Sequence, residues 1–317
     1  MIIPVILSGG ANNPSDPALT AERVENRAFF SAPILIGSES HAEYLTHALG
    51  DRLPACTVLE PFGRHTAAAV AIAALLAFEI QPQTPMLILP SDHAIRNNDA
   101  FLQAVHLTTP LVQDGYIATF GIQPTGLNTH YGYIEKGAEI SEHEFAQRIR
   151  SFVEKPDETK AAAMLETGNF YWNSGIVMAT AETLLDEFTR FAPDVLSACR
   201  DTLAHSPEQE NIIHLSPEFF EKVPRIAFDV AVLEKTQKAV VLPAAFDWSD
   251  VGSLDDQAPS QDENGNSKAG KYIQLAADVK NVSVRNETSL PVTISGVSDV
   301  MIIVSKNGVV VTPNKQS

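Results

Sequence analysis

Within residues 151–175 (SFVEKPDETKAAAMLETGNFYWNSG), three side chains of different chemistry stand at predicted strand ends. Glu154 and Lys155 follow the apolar pair Phe152-Val153 and precede Pro156. Asn173 lies in Tyr171-Trp172-Asn173-Ser174-Gly175, which enters a second apolar run, Ile176-Val177-Met178-Ala179. One carboxylate, one ammonium and one amide suit a polyhydroxylated, phosphorylated ligand, with Lys155 for the phosphate and Glu154 and Asn173 for hydroxyls. Spacing alone leaves an alternative open, in which Glu-Lys-Pro is ordinary surface and Trp172 is core. Between the two blocks a short helix is expected, with Asp157 as its N-cap and Gly168 as its stop.

Other segments repeat the pattern of polar chemistry after an apolar run. Met86-Leu87-Ile88-Leu89 reads as a central parallel strand, and its end places Asp92 where α/β sheets bind ligands. One carboxylate there can hold Mg²⁺ while substrate phosphates complete the octahedron; the adjacent His93 is read as structural. Ile2–Leu7 runs into Ser8-Gly9-Gly10, either a tight turn or a place where backbone N–H groups approach phosphate. Residues 58–66 (VLEPFGRHT) form a strand, a glycine turn and a helix start, a corner suited to an anion or a base. Arg64 there is otherwise a surface cation. Residues 246–253 (FDWSDVGS) put a second acidic cluster, Asp247 and Asp250, at a strand end.

FVEKP followed after a short helix by YWNSG resembles the sugar-phosphate half of the mannose-1-phosphate guanylyltransferases, of the sugar nucleotidyltransferase family. The resemblance implies transfer of a guanylyl group from GTP to mannose 1-phosphate, giving GDP-mannose and pyrophosphate. It implies Lys155, Asp92 and Asp250 as catalytic residues, the two aspartates holding Mg²⁺, with Asp247 as the alternative ligand. Ser8, Gly9, Gly10, Glu60, Gly63 and Arg64 would hold the nucleotide, and Gly132, Glu154, Asn173 and Asp229 the sugar. An N-terminal helix carboxylate also stabilises a dipole without any ligand, so the residues alone leave Asp229 undecided. The chain departs from the family at His65 and Ala68, where Asn and Pro are usual, and at His130, where Gly is usual. The larger departure follows Gly10: the family's loop with Thr, Arg and Leu-Trp-Pro, then Pro-Lys-Gln-Phe, is absent before the strand expected at Pro33–Gly37. Two alternatives follow: the same chemistry on another pair, such as glucose 1-phosphate with UTP or dTTP, or a nucleotide-sugar-binding relative without turnover.

Positioning these residues requires an α/β fold. The expectation is a Rossmann-like mixed-sheet nucleotidyltransferase domain over residues 1–260 and a small β-rich domain over 261–317. Helices are expected near Ala67–Phe78, Asp99–Val112 and Leu184–Leu203, Ala204–Arg225 as a loop with a short helix, and Phe228–Lys235 resembles a helix of the family. Ser260–Gly270 reads as a turn-rich linker, and five short β-like runs follow, with Asn307-Gly308 as a hairpin signal. The chain has 317 residues, 44% hydrophobic and 19% charged, so it is globular. A net charge of −17 argues against nucleic acid and anionic membranes as partners, but not against a small anion beside local cations. Two cysteines, Cys56 and Cys199, suit free thiols. With no basic n-region or cleavage site at the N-terminus, and with the longest apolar stretch, Thr66 to Ile80, too short to span a bilayer, a cytoplasmic protein is expected. The β-rich tail is the expected surface of a homodimer.

Overall fold

Buried strands whose alternate residues face two helical layers organise the larger part of the molecule. The computed structural model describes residues 1–9, 17–49, 54–140, 143–250, 262, 264–270, 272–286, 288, 290–305 and 308–313. The chain divides into two compact units, Met1–Val251 and Gly252–Ser317.

The first unit opens with β1 (Ile3–Ser8), α1 (Pro17–Arg23), β2 (Ile34–Ser38), α2 (Ala42–Ala48), β3 (Cys56–Glu60) and α3 (Thr66–Ile80). There follow β4 (Pro85–Pro90), β5 (His93–Ile95), α4 (Asn98–Gln113), β6 (Ile117–Ile122), β7 (Tyr133–Ile140) and β8 (His143–Val153). Then come α5 (Glu158–Thr167), β9 (Phe170–Thr180), α6 (Ala181–Phe191) and α7 (Pro193–Ala204). It closes with β10 (Glu208–Gln209), β11 (Ile212–His214), α8 (Pro217–Phe220), β12 (Ala239–Ala244) and β13 (Trp248–Asp250). Eleven strands form one sheet in the order β10-β11-β3-β2-β1-β4-β9-β6-β12-β8-β7.

The sheet is mixed, as the sequence indicates. Met86–Leu89 is a parallel strand on one side only: β4 runs parallel to β1 and antiparallel to β9. Its alternation sets the layers. Met86 and Ile88 face the cluster that contains α3, α6 and α7, while Leu87 and Leu89 face Phe101 and Val105 of α4. Helix α3 is buried around nearly its whole circumference, with Ala67 to Ala74 and Ala77 all inside. Alanine side chains allow it to lie close to the sheet and to α6 and α7 at once.

Three local expectations need correction. Leu184–Leu203 is two helices, because Pro193 cannot continue α6 and instead starts α7 at its first turn. Ala204–Arg225 contains the hairpin β10–β11 as well as the short α8. Glu210 and Asn211, at φ 50° and 65°, supply the left-handed pair that a tight hairpin needs. The helix expected near Phe228–Lys235 is a π-helical turn, Asp229–Leu233.

In the second unit, β14 (Ser267–Gly270), β15 (Ile273–Leu275), β16 (Ser283–Asn286), β17 (Val292–Ile294), β18 (Val300–Ser305) and β19 (Gly308–Pro313) enclose a small valine-rich core. β14, β16 and β18 form a parallel ladder, and β18 turns into antiparallel β19 with Ser305 opposite Gly308. The hairpin signal is therefore real, although Asn307 lies outside the described residues. Ser267–Gly270 is a strand rather than linker. The buried amide of Asn266 fixes its start, donating to the Val279 carbonyl at 2.9 Å and accepting from Val282 N–H at 3.0 Å. Cys56 and Cys199 are free thiols. Among the described residues no helix is long and apolar enough to cross a membrane.

The packing of α3 is open to a direct test. Ala71→Leu should lower the free energy of unfolding by about 1–3 kcal/mol in urea titration, because Ala71 has no accessible surface into which a larger side chain can relax. An unchanged midpoint would contradict the tight layering.

Candidate active site

Four residues from four distant segments meet where β7, β8, β9 and the π-helical turn converge. Asn173 of β9 donates its main-chain N–H to the Gly132 carbonyl at 2.7 Å. Its side-chain nitrogen donates to Asp229 Oδ1 at 3.0 Å. Its side-chain oxygen accepts from the Thr119 hydroxyl at 2.9 Å and from Gly175 N–H at 3.2 Å. A Cβ at Gly132 would lie 2.8 Å from Glu154 Oε2 and 3.0 Å from Phe152 Cζ, so a side chain there would displace the Glu154 carboxyl from its present position. Gly132, Glu154, Asn173 and Asp229 are thus brought together, and Asp229 is held by an amide as well as by its helical turn. Thr119 escapes a reading of the sequence. Its signal is a lone hydroxyl in the otherwise apolar, buried strand β6.

The carboxylates here resist ionisation. Burial, reinforced by Asp229 and opposed by Lys155, pushes Glu154 up to about 7. Desolvation likewise raises Asp229, against the hydrogen bonds it accepts. Lys155 stands at the rim, exposed, with Nζ 3.8 Å from Glu154 Oε1. Its backbone is left-handed, φ 44°, a conformation unfavourable for a non-glycine residue. The helix α5 behind it is framed as expected. Asp157 accepts from Lys160 N–H at 2.9 Å, and Gly168 ends the helix at φ 65°.

A second corner forms at the ends of β1, β3 and β4. Ser8 is buried, Gly9 turns at φ 45°, and Ser91 donates both N–H and hydroxyl to the Leu7 carbonyl at 3.0 Å. Gly10 lies outside the described residues. Glu60, 9% exposed at the end of β3, has an Oε1 without a hydrogen-bond partner among the described residues. Burial pushes its pKa up to about 8. Gly63 faces open space. Arg64 donates to the Glu221 carbonyl at 2.6 Å and lies over the Phe62 ring at 5.0 Å. The Thr66 hydroxyl accepts from Phe228 N–H at 2.9 Å, which ties the start of α3 to the segment leading into Asp229.

The carboxylate segment lies beside these corners in the sequence of strands. Asp92 follows β4, 35% exposed, with Oδ1 4.0 Å from His93 Nε2. Burial, then Arg23, lowers His93 to about 3, so the ring is neutral. Strands β5 and β13 pair with Asp250 opposite His93, the residue that follows Asp92. The Asp250 side chain lies outside the described residues. Asp247, the alternative ligand, is engaged at the surface with Arg96 at 3.2 Å. Among the described residues no group of three or more metal-binding side chains gathers. One or two hard carboxylate oxygens nonetheless fit Mg²⁺, which keeps waters and takes substrate phosphates for its remaining positions.

Raised carboxyl pKa values have a sign in stability. A folded-state value above the unfolded one means the native state binds the proton more tightly. The stabilisation is complete below the unfolded pKa, near 4.5, and is lost as pH rises through about 8 for Glu60 and about 7 for Glu154. Glu60→Gln and Glu154→Gln should therefore gain thermal stability relative to the unmodified protein as pH rises from 5 to about 9. Melting curves with a pH-independent difference would contradict the assignment.

The chain resembles known proteins over most of its length. The model of the nucleotidyl transferase family matches residues 18–263, beginning beyond Gly9 and Gly10. Mannose-1-phosphate guanylyltransferase of Sinorhizobium fredii is 38% identical over 296 residues, which are 92% of this chain and 57% of that protein. Alginate biosynthesis protein AlgA of Pseudomonas aeruginosa is 33% identical over 333 residues, covering 98% of this chain and 69% of that protein. The chain thus spans about 57–69% of the length of these two relatives. The AlgA alignment exceeds the 317 residues of the chain, so that relative contains residues absent here. A crystal structure described as mannose-1-phosphate geranyltransferase from Thermus thermophilus superposes with a TM-score of 0.72 at 24% identity, over 99% of this chain and 95% of that one, which shows the fold. With more than half its length matched by the family model, the chain belongs to the nucleotidyl transferase family.

Proposed function

We propose that this chain transfers a guanylyl group from GTP to mannose 1-phosphate. The observation that carries the reading is the convergence of Gly132, Glu154, Asn173 and Asp229 at one place, with Lys155 beside Glu154. The name of the Sinorhizobium fredii relative points the same way. A phosphate oxygen of the sugar ester forms a bond to the α-phosphorus of GTP, and the bond to the β-phosphate oxygen breaks, so pyrophosphate leaves with the electron pair. The attacking oxygen is already ionised, so the protein need supply no base.

The chain's own residues then orient and neutralise. Lys155 meets the sugar phosphate as a point charge. Asn173, fixed by Thr119 and Asp229, and Glu154 meet the sugar hydroxyls. Glu60, buried at the end of β3, would hold the nucleotide. Asp92 and Asp250 would hold Mg²⁺, which when bound neutralises charge on the phosphates.

A second reading is binding of a nucleotide sugar without turnover, and two facts motivate it. The family match begins past Gly9-Gly10, and the AlgA relative carries residues that this chain lacks. Pyrophosphate release separates the two. Turnover with GTP and mannose 1-phosphate is expected, and none with glucose 1-phosphate and UTP or dTTP. Binding of GDP-mannose without pyrophosphate release would establish the second reading. Intact mass near 34.3 kDa would assign it to a shortened chain. Lys155→Ala should reduce kcat by about 10²–10³, the effect of losing one preorganised donor to developing charge. Asp250→Ala should abolish turnover with an unchanged melting curve, and a variant that stays active would remove Asp250 from the site.

A further inference from the structure

Both tryptophans of the chain lie against one ring, that of Tyr131. The Tyr131 centroid is 5.1 Å from Trp172 and 5.3 Å from Trp248, edge-on at 61° in each case. Trp248 in turn meets the His93 ring edge-on at 5.3 Å. The array therefore runs from Trp172, next to Asn173, through Tyr131, next to Gly132, to Trp248, two residues before Asp250, and on to His93, next to Asp92.

The far end of this array is held apart from the large sheet, by packing of Ile95 and Trp248 on the core beside α4 and by the Arg23 guanidinium, which donates to the His93 carbonyl at 2.9 Å. Strands β5 and β13 are three residues each and form a two-stranded sheet apart from the large one. A two-stranded pair is marginal by itself. The Arg96–Asp247 ion pair beside it is exposed at both partners and adds little. Neither indole nitrogen has a hydrogen-bond partner among the described residues, so packing alone orients the two rings. The near end is attached to the pocket by the 2.7 Å bond from Asn173 N–H to the Gly132 carbonyl, and Glu154 abuts Gly132. A ligand held by Glu154 and Asn173 would bear on residues 132 and 173, and the Tyr131 ring, next to Gly132, contacts Trp248 of the strand that carries Asp250.

We propose that Tyr131 is a positioning residue that couples occupancy of the hexose-phosphate pocket to the placement of β13. The proposal rests on the reading of that pocket given above, and goes beyond it in making the two carboxylate-bearing segments responsive to the sugar alone.

Trp172→Phe leaves Trp248 as the chain's one tryptophan, located at the carboxylate end. In that background mannose 1-phosphate is titrated without nucleotide or divalent cation, read in parallel by calorimetry and by tryptophan emission. The expected result is an emission change that saturates with the calorimetric midpoint. Adding Tyr131→Leu should preserve calorimetric binding and lose the emission change, while Tyr131→Phe, which keeps the ring, should restore it. Calorimetric binding with silent Trp248 emission in the Tyr131-intact protein would overturn the proposal, as would an unchanged response in Tyr131→Leu. The first of these outcomes needs no folded leucine variant. Calorimetric silence towards both mannose 1-phosphate and glucose 1-phosphate has a different signature. It would remove the hexose pocket itself, and the coupling with it.

Discussion

The side-chain amide of Asn173 is the constraint on which the site depends. Its oxygen accepts from Thr119 and Gly175, and its nitrogen donates to Asp229, so the amide has one orientation consistent with all three. Through them it joins β6, β9 and the π-helical turn, and through its main chain it joins β7. A carboxamide can do this where a carboxylate cannot, since only the amide offers a donor to Asp229 and acceptors to the other two. The pocket is therefore placed by a hydrogen-bond network whose members sit on rigid elements, a requirement for holding a sugar in a reactive pose.

The electrostatics of the site run against stability. Glu154 and Asp229 are close, desolvated and mutually repulsive, and Glu60 is buried with one carboxylate oxygen unpaired among the described residues. Such groups are tolerated because the surrounding layers are tightly packed, with α3 buried on nearly all faces and aliphatic side chains alternating across the sheet. The same low-polarity surroundings strengthen whatever hydrogen bonds a ligand forms there. Elsewhere a buried carboxylate is fully compensated. Glu187, with no exposed surface, meets Arg190, Lys238 and Thr236, as expected of a group whose role is structural.

Much of this was legible in the sequence, for identifiable reasons. Continuous apolar runs betrayed β1 and β4, Asp157 and Gly168 bracketed α5, and the two blocks around Glu154 and Asn173 do meet in space. Other features depend on tertiary context. Pro193 divides one predicted helix into two, a detail visible in the residue itself but masked by the apolar pattern on either side. Ser267–Gly270 reads as linker because its strand character comes from Asn266, whose amide is satisfied only by partners at Val279 and Val282. Thr119 is marked only by being a lone hydroxyl in an apolar strand, since what it holds is more than fifty positions away. The Tyr131 array is invisible for the same reason: ring contacts follow from strand placement, not from spacing.

The left-handed backbone of Lys155 sets thermodynamic preference against charge at one position. A non-glycine residue there costs on the order of 1–2 kcal/mol, and glycine would relieve it. Selecting variants for thermal robustness alone would thus favour loss of the ammonium group, and a hardened version of this fold would tend to arrive with its rim discharged.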